Sequence, residues 1–240
     1  MHHVHCNPLN PANPLQFTLL RVPFFLEPDY DRSSQFEESN HDRLIRKWGG
    51  VAEFNAQKQR HGLKERGVAV GIPYFNLQRT ASSTYLSHRM VQYVTHQHGV
   101  TASEALYSTL NYNHFVLGLK LNDLTMLLDA AAGALDALEG TTFDRNAAEL
   151  YLSNAKNGAR PLENARKHLH RLGIHSIPAF IVGGECMVGG AANSETFVEI
   201  FRKIERESPV KGMSNSMFGS TLEFSQQVLT DVLAFDCGGG

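Results

Sequence analysis

The sequence contains three cysteines, Cys6, Cys186 and Cys237, whose thiols could act as nucleophiles or form disulfides. Thiol–disulfide exchange requires one thiolate that attacks and a second thiol, close in the chain, that resolves the mixed disulfide. No two of these cysteines have that spacing, and the sequence contains no C-x-x-C. Their odd number and wide separation also argue against a disulfide framework. We therefore predict that this 240-residue chain does not catalyse dithiol exchange.

Taken singly, the cysteines also lack the surroundings of a catalytic thiol. Cys6 is followed by residues 7–11, whose two prolines prevent a regular helix from starting behind it. A helix N-terminus is what usually lowers the pKa of a nucleophilic thiol. Cys186 lies on the second arm of a predicted hairpin, where it is expected to be a small apolar filler. Cys237 precedes three terminal glycines, and we expect residues 237–240 to be disordered.

The histidines do not have the spacing of a metal site. His3 and His5 near the start of the chain lack an evident third ligand. Two further pairs are separated by two positions and so point to different faces of a helix: His96 with His98, and His168 with His170. We predict no metal and no cofactor.

The most informative stretch is residues 173–192. Ile177-Pro178 leads into the apolar run 179–182, Gly183-Gly184 permits a reversal, and residues 186–188 return, which predicts a β-hairpin. Proline is allowed as the first residue of a strand, where it loses no ladder hydrogen bond. The following segment has one apolar helical face, formed by Phe197, Ile200, Phe201 and Ile204.

The sequence of residues 173–192 resembles the GV-x-G-V-P-x-F … G-A-Q ending of DsbA-like thioredoxin domains of the FrnE type. The resemblance implies an α/β, thioredoxin-like fold with an all-helical insertion domain. It also implies that the Ile177–Pro178 peptide bond is cis and that Ile177 offers its backbone to a sulfur-bearing substrate. The alternative is an ordinary trans proline, since about 5–6% of X–Pro bonds in folded proteins are cis.

Other segments resemble the same family, so the resemblance covers roughly residues 15–205. Residues 15–22 are predicted to form an internal strand, apolar on both faces towards its end. Residues 23–28, Pro-Phe-Phe-Leu-Glu-Pro, resemble the family's P-F-x-L-x-P, and residues 71–75 resemble its short link into the insertion.

A histidine in the predicted insertion is a candidate for the substrate site. Residues 87–90, Ser-His-Arg-Met, resemble the A-H-R-L that begins the family's first insertion helix. The resemblance would place His88 near the active site as a polarising group. The alternative is an imidazole that packs in a helix interface. The resemblance therefore assigns Ile177, Pro178 and His88 to substrate binding and assigns no catalytic residue.

The predicted organisation has four regions. They are a first thioredoxin-like segment at 15–75, the inserted helical domain at 80–172, a second thioredoxin-like segment at 173–206, and a C-terminal tail at 207–240. Within the insertion, one helix is predicted to end before Gly99 and the next to start at a capping box, Thr101-Ala-Ser-Glu104. In the tail, residues 222–235 are interpreted as one amphipathic helix.

In DsbA-like proteins a strand and a helix bearing C-P-W-C precede the segment that here begins at Leu15. The resemblance implies that this start is absent, and we expect a strand–C-x-x-C–helix coding segment of about 25–40 residues upstream. That strand lies centrally in the family's sheet. Without it, strands 15–22 and 179–182 are expected either to close onto residues 2–6 or to remain apart by the width of one strand.

Three functions follow from the resemblance. The first is a DsbA/FrnE-like thiol–disulfide oxidoreductase family member that is inactive as written. The second is a non-catalytic thioredoxin-like binding module that uses the cleft at Ile177-Pro178. The third is a kappa-class glutathione transferase or isomerase, which shares the architecture.

Composition excludes several classes of partner. The net charge of −2 provides no basic field for nucleic acid or an anionic membrane. No apolar run approaches the roughly 18 residues of a membrane-spanning helix. The first residues, Met-His-His-Val-His-Cys, do not resemble a secretory signal, so we expect a cytoplasmic protein. The expected partner is a thiol-containing protein or small molecule, and the oligomeric state is left open.

Overall fold

The structure is a computed structural model, and it describes residues 1–69, 71–72, 74–184, 186–207 and 217–237. The chain divides into two compact units. The first unit consists of Met1–Leu26, Gln92–Ser103 and Ala155–Gly240, and the second of Glu27–Val91 and Glu104–Asn154. These boundaries differ from the four predicted regions, and the predicted domain assignment stays a prediction.

Short strands are interspersed among runs of helices in the described residues. In chain order the elements are α1 (His2–Cys6), β1 (Glu38–Ser39), α2 (Asn40–Trp48), α3 (Val51–His61), α4 (Leu63–Ala69), β2 (Thr80–Ala81), α5 (Tyr85–Phe115), α6 (Leu124–Asp136), α7 (Arg145–Ser153), α8 (Ala159–Arg171), β3 (Ala179–Val182), β4 (Cys186–Gly189), α9 (Ser194–Glu207) and α10 (Gln226–Thr230). In the described ranges, no helix is long and apolar enough to cross a membrane.

The second unit is mainly helical, and local signals in its sequence set the helix ends. The side chains of Ser39, Asp123 and Asp144 accept hydrogen bonds from backbone N–H groups in the first turns of α2, α6 and α7. Helix α2 ends at Gly49, which has a positive φ of 85°. Asn122 is buried, and its side-chain amide donates to the carbonyl oxygens of Ser33 and Phe36, both at 2.8 Å.

The first unit contains the predicted β-hairpin. Strands β3 and β4 pair antiparallel, with Ala179 opposite Gly189 and Val182 opposite Cys186. Gly183 and Gly184 have positive φ values of 62° and 80°, which is why glycine suits this reversal. The predicted hairpin is confirmed.

Strand β3 lies between two apolar clusters of the first unit. Ala179 and Ile181 pack against the first cluster, which draws on α8 and the C-terminal segment: Val100, Ala165, Leu169, Ile174, Phe218, Leu222, Phe224, Val228 and Leu229. Val182 packs against the second cluster, formed by Val4, Phe17 and Phe201 with Phe197, Val198, Leu15 and Phe235 around them. Because successive strand residues face opposite sides, the four residues of β3 support both clusters.

The predicted strand over 15–22 is wrong: these residues have no regular secondary structure. Among the described residues, one backbone–backbone hydrogen bond connects this segment to a distant part of the chain. The Leu233 N–H donates to the Phe17 carbonyl at 2.8 Å. A single ladder bond does not make a strand. Residues 2–6 form helix α1, so they are not a substitute strand either.

The prediction of one helix over 222–235 is also wrong. Helix α10 spans only Gln226–Thr230, and residues 231–237 have no regular secondary structure. Asp231 turns the chain out of the helix, and its carbonyl accepts a hydrogen bond from the Thr18 hydroxyl. The apolar spacing that suggested a helix serves instead to pack Leu229 and Leu233 in the first cluster.

Helix α5 is interrupted at Gly99, where φ is 83° and ψ is −174°. The prediction that a helix stops before Gly99 is confirmed in position. The helix resumes at Val100, and a residue distant in sequence caps it there: the Val100 N–H donates to the Asp231 carboxylate at 2.6 Å. A carboxylate at the N-terminus of this resumed helix is favourable because that end carries partial positive charge.

Candidate substrate-binding site

The entry to strand β3 is exposed on the first unit. The chain leaves α8, turns at Gly173 with a φ of 70°, and reaches Ile177 and Pro178. The peptide bond between Ile177 and Pro178 is cis, as the resemblance implied. Ile177 is 49% exposed, and Pro178 is exposed as well.

The backbone at this entry is only partly paired. The Pro178 carbonyl accepts the Gly190 N–H at 2.9 Å, which continues the hairpin ladder by one bond. Within the ranges that the structure describes, the N–H and C=O of Ile177 form no hydrogen bond. An exposed, unpaired donor and acceptor beside a short strand can hydrogen-bond an extended ligand chain.

Exposed apolar side chains lie further along the hairpin, with Met187 opposite Ile181. Met187 on β4 is exposed, and Phe180 on β3 is partly exposed with its ring packed edge-on against Phe197, 4.8 Å between centroids. Cys186 is a free and exposed thiol rather than the predicted apolar filler. It escapes burial because β4 has no strand on its outer side among the described residues.

His88 lies in the second unit, on α5. It is half-buried, and its backbone N–H donates to the Thr84 carbonyl at 3.0 Å as part of the first helical turn. Ile177 and Pro178 lie in the first unit, so His88 is not part of the same compact unit. The assignment of these three residues to one substrate site stays a prediction.

The neighbour of His88 has a structural role that the sequence did not reveal. The Arg89 side chain is 3% exposed, and burial lowers its pKa. Its guanidinium donates to the carbonyl oxygens of Tyr151, Leu152 and Asn154 at 3.1, 3.0 and 2.6 Å. These carbonyls lie at the C-terminal end of α7 and have no partners within that helix, so Arg89 supplies their hydrogen bonds. Its positive charge also interacts favourably with the negative end of the helix dipole. The His-Arg motif was the available signal, but it pointed to the histidine.

A disulfide joins Cys6 to Cys237 across 231 residues of sequence. The argument against a disulfide framework did not anticipate this single bond. The expectation that Cys237 is disordered is wrong, whereas residues 238–240 lie outside the described ranges. Spacing could not reveal the bond, because it depends on the two chain ends meeting in the folded unit. The bond lies two residues from Val4 and from Phe235, which both contact the second cluster beside Val182.

This disulfide does not have the geometry of a C-x-x-C site. Cys6 is the last residue of the five-residue helix α1, whereas a reactive thiolate of that class lies at a helix N-terminus. Its cluster meets the Val182 end of β3, about 10 Å along the strand from Ala179, at roughly 3.3 Å per residue. The disulfide and Ile177 therefore belong to opposite ends of β3.

Two of the histidines considered as metal ligands contact the C-terminal segment. His96 Nε2 lies 3.1 Å from the Leu222 carbonyl oxygen, and its ring packs against Phe224 at 4.7 Å. His168 Nδ1 lies 2.9 Å from the Thr221 hydroxyl. Burial lowers the pKa of both imidazoles, so both favour the neutral form. The described residues contain no cluster of three or more His, Cys, Asp or Glu side chains suited to a metal ion.

Comparisons with known proteins bear on the fold. No protein-family model matches the sequence, and no curated protein matches it significantly. Among solved structures, the chain is similar to the crystal structure of a probable DsbA oxidoreductase from Streptomyces coelicolor, with a TM-score of 0.65 and 21% sequence identity. The match covers 78% of this chain and 74% of that chain. The fold is therefore DsbA-like, a thioredoxin-like fold with a helical insertion.

Proposed function

We propose that this protein is a FrnE-like member of the DsbA-like family that binds thiol-containing proteins or small molecules at the entry to β3. We further propose that the chain as written is inactive as a dithiol oxidoreductase. The DsbA-like fold supports the first statement. The absence of C-x-x-C from the sequence supports the second. The expected upstream C-x-x-C segment and the cytoplasmic location stay predictions.

The observation that carries the binding proposal is the backbone of Ile177. This residue is about half exposed, and its N–H and C=O are unpaired among the described residues at the start of a two-stranded hairpin. An extended ligand would add two main-chain hydrogen bonds here.

The test removes one backbone donor without changing the surrounding surface. Ile177→Pro deletes the N–H of Ile177, whereas the matched control Ile177→Val keeps it. We expect the affinity for a fluorescein-labelled, cysteine-containing extended peptide, measured by fluorescence polarisation, to fall tenfold or more in Ile177→Pro. It should stay within twofold of the parent in Ile177→Val and in Leu150→Ser, an exposed position of the second unit.

A second measurement covers the case in which Ile177→Pro fails to fold. The backbone amide resonance of Ile177 in the unaltered protein should move when the peptide, or glutathione as the small-molecule probe, is added. If both ligands bind and this resonance stays in place, the ligand lies elsewhere and the proposal is wrong. His88→Asn in the same titration tests whether the imidazole contributes to binding.

The proposed inactivity has its own test. In an insulin reduction assay with dithiothreitol, the purified 240-residue protein should match the uncatalysed rate, because the sequence has no C-x-x-C and Cys6 is the last residue of α1 rather than a thiol activated at a helix N-terminus. A clear rate that disappears in Cys6→Ser would show that the Cys6–Cys237 pair turns over.

A further inference from the structure

The C-terminal segment, residues 217–237, is an integral component of the first unit. Its buried side chains supply more than half of the first apolar cluster: Phe218, Leu222, Phe224, Val228 and Leu229. Ala179 and Ile181 of β3 pack against this same cluster. The segment therefore covers one face of the strand that follows the proposed binding residues.

The end of this segment is held less firmly than its beginning. In residues 231–237 the side chains alternate, so that Leu233 and Phe235 are partly buried while Val232, Ala234 and Asp236 are exposed. Its backbone ties to residues 15–18 are the Leu233 N–H to the Phe17 carbonyl and the Thr18 hydroxyl to the Asp231 carbonyl. Further contacts join the Val100 N–H to the Asp231 carboxylate and His2 Nε2 to the Asp236 carbonyl oxygen, and the Phe235 ring contacts His5 and Phe17. Each net hydrogen bond contributes little, and Leu233 and Phe235 are only half-buried.

A further restraint on this segment is the covalent bond at Cys237, and that bond is accessible to solvent. Cys237 is exposed and Cys6 is half-buried, so an attacking thiolate can approach the Cys237 sulfur. His2 Nε2 lies 2.9 Å from the Asp236 carbonyl oxygen, a geometry that requires a proton on this nitrogen. The same nitrogen lies 3.7 Å from Cys6 Sγ. Because this nitrogen carries one proton, its N–H can turn to the Cys6 thiolate only when the Asp236 carbonyl moves away, which favours the reduced, released state.

We propose that the Cys6–Cys237 disulfide is a site of thiol–disulfide exchange with a dithiol reductant, and that its reduction releases residues 231–237 from the Phe17–Thr18 backbone. The disulfide is then a redox latch on the C-terminal segment. This inference is independent of the binding site proposed at Ile177, because the latch belongs to the other end of β3.

The exchange balances without any further reagent. One thiolate of the dithiol attacks Cys237 Sγ, the Cys6–Cys237 bond breaks, and Cys6 departs as a thiolate beside His2. The second thiol of the reductant, as a thiolate, then attacks the reductant sulfur that is bonded to Cys237, and Cys237 departs as a thiolate. The reductant leaves as a cyclic disulfide, and the protein takes up two electrons and two protons as two thiols.

Release has a defined reporter in two backbone amides. The Leu233 N–H is bonded to Phe17, and the Val100 N–H is bonded to the Asp231 carboxylate at 2.6 Å. Both amides are protected from hydrogen exchange while residues 231–237 are docked. They lose that protection when the segment leaves.

The experiment compares the full chain before and after treatment with dithiothreitol. Iodoacetamide should label Cys186 alone in the oxidised protein and all three cysteines after reduction. We expect hydrogen exchange at Leu233 and Val100 to become at least tenfold faster on reduction. Exchange at Leu128 and Leu135, buried on α6 in the second unit, should not change.

Variants separate the latch from general destabilisation. Cys186→Ser should respond to dithiothreitol as the parent does, whereas Cys6→Ser should exchange fast at Leu233 with or without reductant. Three outcomes overturn the proposal: labelling of one cysteine after reduction, three labelled cysteines with unchanged exchange at Leu233, or faster exchange that extends to α6. The parent protein alone decides among these, so the result does not depend on folding of the cysteine variants.

Discussion

The two ends of strand β3 are built in different ways. At its start, Ile177 is exposed and its backbone is unpaired among the described residues. At its end, Val182 packs into a cluster with Phe17 and Phe201, and the chain ends are bonded covalently beside that cluster. One end is therefore open to a ligand chain, and the other is closed by Val4, Phe235 and the adjacent Cys6–Cys237 bond. The open end can therefore be predicted from local sequence, whereas the closed end depends on contacts between residues more than 200 positions apart.

The largest effect should come from emptying the closed end. Phe201 is 8% exposed and packs edge-on against Phe17, 4.9 Å between ring centroids. Phe201→Ala should lower the free energy of unfolding by about 4 kcal/mol, because it removes a buried ring and leaves a cavity. The matched change at the more open side, Phe180→Ala, should cost about 1 kcal/mol, since Phe180 is 37% exposed. Urea denaturation measures both, and equal losses would remove the contrast between the two ends.

The covalent bond should come next. Cys6→Ser should lower the free energy of unfolding of the oxidised protein by about 3 kcal/mol, because the disulfide restrains the unfolded chain. Cys186→Ser should leave it nearly unchanged, as Cys186 is exposed and free. Denaturation of both variants without reductant checks this pair. A parent-like stability for Cys6→Ser would mean that apolar packing alone closes this end.

The contact between Gly99 and Asp231 should have an intermediate effect. A Cβ built on Gly99 would overlap the Asp231 carboxylate, and the backbone at this position has a φ of 83°. Gly99→Ala should therefore cost about 2 kcal/mol from backbone strain and the displaced cap. Gly133→Ala on α6 is the control, because a Cβ there meets nothing within 4 Å, and it should stabilise the helix by about 0.5–1 kcal/mol. Thermal unfolding of both variants gives the comparison.

The smallest effect is a pH dependence of the C-terminal segment. Burial holds the pKa of His96 and His168 below the ordinary value of 6.5, and for His96 the Leu222 carbonyl and then Glu223 offset this only in part. As the pH falls below about 6.5, the unfolded imidazoles take up protons first, so stability is lost towards acid and fully present above that pH.

We expect the loss to stay below about 1 kcal/mol, because solvent screens partly exposed rings. Protection factors of amides 222–229, followed from about pH 7.5 to about pH 5.5, measure it across the titration range of histidine. His96→Gln should flatten the slope, whereas His175→Gln in an exposed loop should not. A slope that is unchanged in His96→Gln would remove this imidazole from the explanation.

Much of this protein is determined by short-range sequence. Gly183-Gly184 and the apolar run 179–182 predicted the hairpin, and Gly99 predicted the break in α5. The helix caps Asp123 and Asp144 could also be predicted. Each of these depends on backbone conformation or on hydrogen bonds within about four residues, which local sequence encodes.

Only the tertiary structure decided the role of the chain ends. The strand expected over 15–22 needs a partner strand, and the described residues give it one ladder bond, to Leu233. Asp231 caps a helix 131 residues earlier, and Cys237 bonds to a cysteine 231 residues earlier. Neither contact has a signature in residue spacing, because burial of apolar surface from the whole unit brings these segments together. The pairing of Cys6 with Cys237 is therefore a product of the fold rather than of any motif.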